Sequence, residues 1–160
     1  LLSSKINQNL RKNNVFVNKA QIGPDVKITP GVKISDNSII LGNTIIEGNT
    51  YIIDSLIEDS KIISSIIGPY AHLKHSIIEE STIGNFVEVK NSEIKKQVKA
   101  KHLSYIGNAL IEDGVNIGAG VIFSNFDGKI KSRSKVGSYS FIGSNSTIIA
   151  PITIGYIIFK

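Results

Sequence analysis

Isoleucine recurs at every sixth position from Ile22 through Ile28, Ile34, Ile40, Ile46 and Ile52. Four places after the first five of these come Val26, Val32, Ser38, Thr44 and Thr50, all small or β-branched. Beyond Ile52 the phase slips by shorter steps and recovers through Ile67, Leu73, Ile78, Ile83, Val89, Ile94, Ala100, Ile106, Ile111, Ile117 and Phe123. It then breaks, and resumes at Val136, Ile142, Ile148 and Ile154. Gly, Asn and Asp cluster just after the column residues, in IGPD, ISDN, IGNF, IEDG, IGAG and IGSN. These residues tolerate the left-handed backbone that tight corners require. Each repeat therefore reads as a very short strand followed by a corner. Three repeats make a triangular coil of about eighteen residues, and stacked coils bury the columns as ladders. Hairpin proteins show two-residue turns between longer alternating strands, a pattern absent here. A compact sandwich is the structural alternative, and periodicity alone does not give the coil's hand.

Composition agrees with an all-β chain. The 160 residues contain no Trp, Met or Cys, and isoleucine and valine carry most of the apolar mass. β-Branched side chains favour extended backbone. Lack of cysteine removes disulfides, thiolate metal sites and thiol nucleophiles together. No apolar run reaches the roughly 20 residues of a membrane span, and no signal-peptide pattern opens the chain, so a soluble cytoplasmic protein is expected. A net charge of +5 points to anionic partners: nucleic acid, phosphorylated metabolites or coenzymes. Leu2, Ile6 and Leu10 recur every four residues, as on one face of a helix. The expected organisation is a linker helix over 1–13 and a β-helix over 14–160. The end of the chain, IGYIIFK, stops in mid-repeat with apolar residues showing. Either the natural chain continues or a partner covers this end.

From Phe123 to Val136 the column step is thirteen positions, with SNFDGKIKSRSK between them. Asp127-Gly128 signals a turn, and Lys129, Lys131, Arg133 and Lys135 concentrate charge on a projecting loop. A solvated loop is the plain reading. Its position after HLSYIG and VNIGAG favours function, because rigid scaffolds often carry functional loops.

NFVEVKNS at 85–92, HLSYIG at 102–107, VNIGAG at 115–120, NFDGK at 125–129 and FIGSNS at 141–146 follow one another in a specific order. That set resembles the acetyltransferase domain of the bifunctional N-acetylglucosamine-1-phosphate uridyltransferase/glucosamine-1-phosphate acetyltransferases, the GlmU family. IGPDVKI and IGPYAHL look like that domain's first coils. The resemblance implies a left-handed parallel β-helix, against the usual right-handed crossover preference. It also implies a homotrimer with active sites between subunits, and an upstream uridyltransferase domain and last coils that this sequence does not contain. The implied reaction moves an acetyl group from acetyl-CoA to the amine of glucosamine 1-phosphate. The amine must lose a proton to attack a thioester, and a histidine is the natural base; the resemblance assigns that role to His102. Direct transfer suits a chain without cysteine. Backbone N–H groups around Ala119 are the implied oxyanion donors.

By the same resemblance, sugar phosphate falls to Lys74, Lys90, Tyr105, Asn116 and Lys131, and coenzyme to Ala119, Asn125, Phe126 and Ser144. Lys74-His75-Ser76 stands where the family usually has Arg-Pro-Gly, keeping the charge and losing the bidentate fork. Phe126 replaces a more usual tyrosine. Glu88 either orients His102 or pairs with a lysine. No metal is expected in this domain, magnesium belonging to the uridyltransferase part; neither nucleic acid nor a membrane is an expected partner. The alternatives are an inactive truncated domain or trimerising scaffold, another hexapeptide acyltransferase, a zinc site built from His72, His75 and His102, and an ice-binding solenoid, for which Thr44 and Thr50 make too short a column.

Overall fold

A computed structural model describes residues 16–17 and 19–155. The helix expected over 1–13 lies outside the described residues, as do the last residues of IGYIIFK. The rest is all β, in three parallel sheets of eight strands each. Sheet A runs from Phe16–Val17 to Phe141–Ile142, sheet B from Gln21–Ile22 to Thr147–Ile149, and sheet C from Lys27–Ile28 to Ile152–Ile154. The chain visits A, B and C in rotation, so each strand pairs with its counterparts one coil before and one coil after. Glu88–Lys90, for example, lies between His72–Lys74 and Tyr105–Gly107. This is a β-solenoid, consistent with the left-handed parallel β-helix that the family resemblance implies. Among the described residues no helix is long and apolar enough to cross a membrane.

The columns are the core. In sheet A, Ile34, Ile52, Ile67, Ile83, Ala100, Ile117 and Ile142 stack in register, and all are buried. Stacked isoleucines, with Ala100 among them, fill the prism at about 1.5–3 kcal/mol for each isoleucine fully buried. Phe123 is the bulkiest fully buried side chain and closes the column before the loop.

The slip after Ile52 is not a lapse of the column. Ile57 and Ile62 continue it, both fully buried, on sides one residue shorter. A shorter side needs a sharper corner, and a single left-handed residue supplies it: Asp54, Asp59 and Ser64 have φ of 40°, 45° and 46°. His75, Glu80, Asn91 and Asn108 do the same further along. Bulky side chains also take this conformation, which sequence preference alone does not anticipate: Tyr70, Phe86, Leu103 and Tyr139 have φ of 52–59°. The N–H groups of Tyr70, Leu103 and Tyr139 are held by carbonyls of the preceding coil: Tyr70 to Asp54 O (3.0 Å), Leu103 to Asn85 O (2.9 Å) and Tyr139 to Asp113 O (2.8 Å). Coil stacking thus offsets the local strain, and the side chains project outward.

Two places before most column residues sits a small buried residue, often serine. Ser92 Oγ donates to Lys90 O (2.8 Å) and accepts from the Ala109 N–H (3.0 Å), so one hydroxyl ties its own corner to the next coil. Ser60 and Ser76 repeat this geometry. Ser134, next after Ala109 in the same line, buries its Oγ without a partner.

The outer faces differ. Sheet C carries compensated charge, with Lys61–Glu47 at 3.1 Å, Arg133–Glu93 at 2.7 Å and Lys135–Glu112 at 3.1 Å. Sheet A and its corner with sheet B expose Tyr51, Ile66, Tyr70, Phe86 and Leu103, and the Tyr70 and Phe86 rings stack at 5.2 Å.

Candidate active site

His102 ends the strand Lys99–His102 and turns outward at the corner between sheets A and B. Asn85 stands beside it on the preceding coil. On the next two coils the equivalent places belong to Ala119 and Ser144, because Ala100, Ile117 and Ile142 are in register. Backbone bonds clamp this stack: Gly120 N–H to His102 O (3.4 Å) and Asn145 N–H to Ala119 O (2.8 Å). The coils approach so closely here that a Cβ on Gly118 would lie 2.6 Å from Ser144 N, and one on Gly84 would lie 2.2 Å from Lys101 O. Gly118 N–H donates to Ile142 O, whereas the Ala119 N–H has no acceptor among the described residues. An imidazole, an unpaired amide and a hydroxyl thus share one edge.

Around that edge, sheet B presents two lines of residues, polar through their middle. One runs Leu56, His72, Glu88, Tyr105 and the other Glu58, Lys74, Lys90, Gly107. Glu58 accepts from Lys74 Nζ (3.2 Å) and meets His72 Nε2 at 2.9 Å. Glu88 pairs with Lys90 and lies 3.9 Å from His72 Nδ1. The hydrogen bond from His72, aided by Lys74 and opposed by burial, holds the Glu58 carboxyl below its usual range. Glu88 pushes the Lys90 ammonium up. Of the two roles open to Glu88, the lysine pair is the one this geometry contains.

Tyr105 folds over Gly107: a Cβ there would meet Tyr105 Oη at 2.6 Å and Asn125 Nδ2 at 2.7 Å. Asn125 is buried at the corner between sheets B and C, where its Nδ2 donates to Asn108 Oδ1 (2.9 Å). The loop projects from there. Phe126 and Lys131 bridge across it in antiparallel fashion, and Asp127 Oδ1 caps the turn by accepting from the N–H groups of Lys129 and Ile130, both at 2.8 Å. These amides hold the Asp127 carboxyl low. Phe126, Lys129 and Lys131 are exposed at the tip. The loop is less basic in effect than its sequence, since Arg133 and Lys135 turn back to sheet C carboxylates.

The structure therefore gathers His102, Ala119 and Ser144 on one corner, and Lys74, Lys90, Tyr105 and Asn125 on or beside sheet B, with Phe126 and Lys131 on the adjoining loop. Asn116 stands apart from the sheet B group, on the outer face of sheet A between Lys99 and Phe141.

No protein-family profile matches the chain. Curated proteins do: it is 54% identical over 104 residues to the bifunctional protein GlmU of Aquifex aeolicus and 53% identical over 107 residues to that of Streptococcus mutans. The matches cover 63% and 65% of this chain. Over that stretch the chain is similar to GlmU. It spans only 22% and 23% of the length of those two GlmU proteins. Among solved structures, a UDP-N-acetylglucosamine acyltransferase from Campylobacter jejuni superposes with a TM-score of 0.55 at 18% identity, over 91% of this chain and 67% of that one. That likeness is one of fold.

Sequence reading missed Glu58 and His72 as neighbours of Lys74 and Lys90. The signal was present, since Glu58, Lys74 and Lys90 are spaced by one shortened coil, but it is visible only once the coil length is known. The three histidines occupy different places: His72 on sheet B, His75 at a corner 3.8 Å from Asp59, and His102 on the other corner. Among the described residues no group of three or more His, Cys, Asp or Glu side chains is placed to hold a metal.

Proposed function

We propose that this chain is an acetyltransferase acting on glucosamine 1-phosphate with acetyl-CoA as donor, forming N-acetylglucosamine 1-phosphate on the route to UDP-N-acetylglucosamine, as a cytoplasmic homotrimer. The observation that carries the reading is the corner on which His102, Ala119 and Ser144 stack on successive coils. Sequence identity to GlmU supports the choice of reaction.

The chemistry follows from the side chains. The sugar amine, as its neutral form, attacks the thioester carbonyl; a C–N bond forms and the oxygen takes the electron pair. His102, exposed and uncrowded, receives the proton the nitrogen sheds. The Ala119 N–H is oriented by the corner and unclaimed by another coil, so it suits the oxyanion. Collapse breaks the C–S bond, and His102 returns the proton to the departing thiolate. Lys74 and Lys90 serve the phosphate as point charges, Lys131 adds a third from the loop, and Tyr105 and Asn116 orient sugar hydroxyls. Asn125 and the exposed Phe126 ring offer the coenzyme a polar anchor and a stacking surface.

A trimer is supported by two features. The outer faces of sheets A and B diverge on one chain, so a site using both Asn116 and Lys90 is completed between neighbours. The apolar strip Tyr51, Ile66, Tyr70, Phe86 and Leu103 offers a surface to cover, while sheet C keeps its paired charges in water.

The test is release of coenzyme A from acetyl-CoA in the presence of glucosamine 1-phosphate. Wild type turns over, and His102→Ala loses about 10²- to 10⁴-fold in kcat. A folded, trimeric wild type without turnover refutes the enzyme reading in favour of a scaffold.

A further inference from the structure

We propose that His72 is a positioning residue that sets the affinity of the sheet B face for phosphate, acting through Glu58 and Glu88 on Lys74 and Lys90. The inference rests on the sugar-phosphate reading above and adds a control to it.

The face holds a chain of five ionisable groups: Lys74, Glu58, His72, Glu88, Lys90. Glu58 is shared between Lys74 (3.2 Å) and His72 Nε2 (2.9 Å), and Glu88 between Lys90 and His72 Nδ1 (3.9 Å). All the groups facing His72 are thereby named: Glu58 from the coil before, Lys74 from its own strand, and Glu88 and Lys90 from the coil after, with Tyr105 beyond Glu88 in the same line. Two carboxylates and two ammonium groups cancel. With His72 neutral the face has no net charge, and a phosphate must displace a carboxylate from each lysine it contacts.

Protonating His72 changes this in two ways. The imidazolium supplies the one charge in excess. It also sets a positive charge between Glu58 and Glu88, so that each carboxylate has a second cation to satisfy it and its lysine turns more readily to an incoming anion. The partial exposure of these side chains, 22–37%, leaves them room to make that exchange. His72 touches neither the corner of His102 nor the loop, so its effect falls on phosphate affinity and not on the transfer step.

The experiment is calorimetric binding of glucosamine 1-phosphate, and separately of inorganic phosphate, to the full chain between pH 5.5 and 8.5. Wild type is compared with His72→Gln, which keeps a donor to Glu58 and cannot charge. The phosphate's own second ionisation, near pH 6, is common to both proteins and cancels in the ratio of their Kd values. We expect wild type to bind about fivefold tighter than the variant at pH 5.5, the worth of one added surface charge, and equally at pH 8.5. His72→Arg, a permanent cation, restores tight binding at both pH values. Under turnover, the variants change KM for the sugar phosphate and leave kcat and KM for acetyl-CoA alone. A Kd ratio that does not vary with pH overturns the inference while the sugar-phosphate reading stands. No binding by wild type at any pH overturns both.

Discussion

Gly118 and Gly143 occupy the same place on adjacent coils, and the structure distinguishes them sharply. A Cβ on Gly118 would sit 2.6 Å from Ser144 N, 2.8 Å from Gly143 C and 2.8 Å from Ile142 O, all backbone atoms of the next coil. A Cβ on Gly143 would meet nothing nearer than Ser146 Oγ at 3.8 Å. Gly118→Ala must therefore push two coils apart at the point where the Gly118 N–H bonds to Ile142 O at 2.9 Å. Overpacking costs about 1–3 kcal/mol and a weakened backbone bond about 1 more, so about 2–4 kcal/mol in all. For a chain of this size that lowers the melting temperature by about 5–12 °C. Gly143→Ala leaves it unchanged or slightly raised. Because the displaced atoms are those that hold Ser144 over Ala119, KM for acetyl-CoA in Gly118→Ala rises about tenfold, with KM for the sugar phosphate close to wild type. Thermal melts and initial rates on both variants check this. Equal melting temperatures for the two alanines would show that coil spacing at this corner is not what the glycine protects; equal rises in both KM values would show that the corner does not belong to the coenzyme.

The serine line gives a second contrast. Ser92→Ala leaves the Ala109 N–H unsatisfied in the interior and costs about 1–3 kcal/mol, whereas Ser134→Ala removes a hydroxyl that has no partner and is neutral or stabilising; denaturant unfolding of the pair reads the difference, and equal losses contradict the account. Acid stability probes the loop's anchor. The Arg133 hydrogen bond holds the Glu93 carboxyl below its unfolded value, so this pair stabilises fully above the ordinary carboxylate range and less as pH falls through the depressed value. Glu93→Gln therefore shows a smaller drop in melting temperature than wild type between about pH 5 and pH 3, and parallel curves refute the pairing.

The comparison of sequence and structure turns on particular residues. The loop between Phe123 and Val136 is legible from a gap in the column, and its turn from Asp127-Gly128. Its charge is not, because Arg133 finds Glu93 forty positions away. The shortened sides at Ile57 and Ile62 were concealed for a related reason. A five-residue step looks like lost phase until the stacked coils show one left-handed residue closing each corner.

By itself the sequence determined the architecture and the interior. Burial in a solenoid follows the local repeat, so reading the column of isoleucines amounts to reading the core. It also brought out His102 and its companions, through ordered motifs shared with a known family. Tertiary structure decided what those motifs could not: that Ala119 and Ser144 stack with His102 on one edge, that Asn116 faces another side, and that Glu58 and His72 stand among the lysines. The physical reason is coil length. Side chains on neighbouring coils are joined by register, and a residue lost from one side shortens the sequence spacing of every contact that spans it, as from 17 at Ile83 and Ala100 to 15 at Ile52 and Ile67.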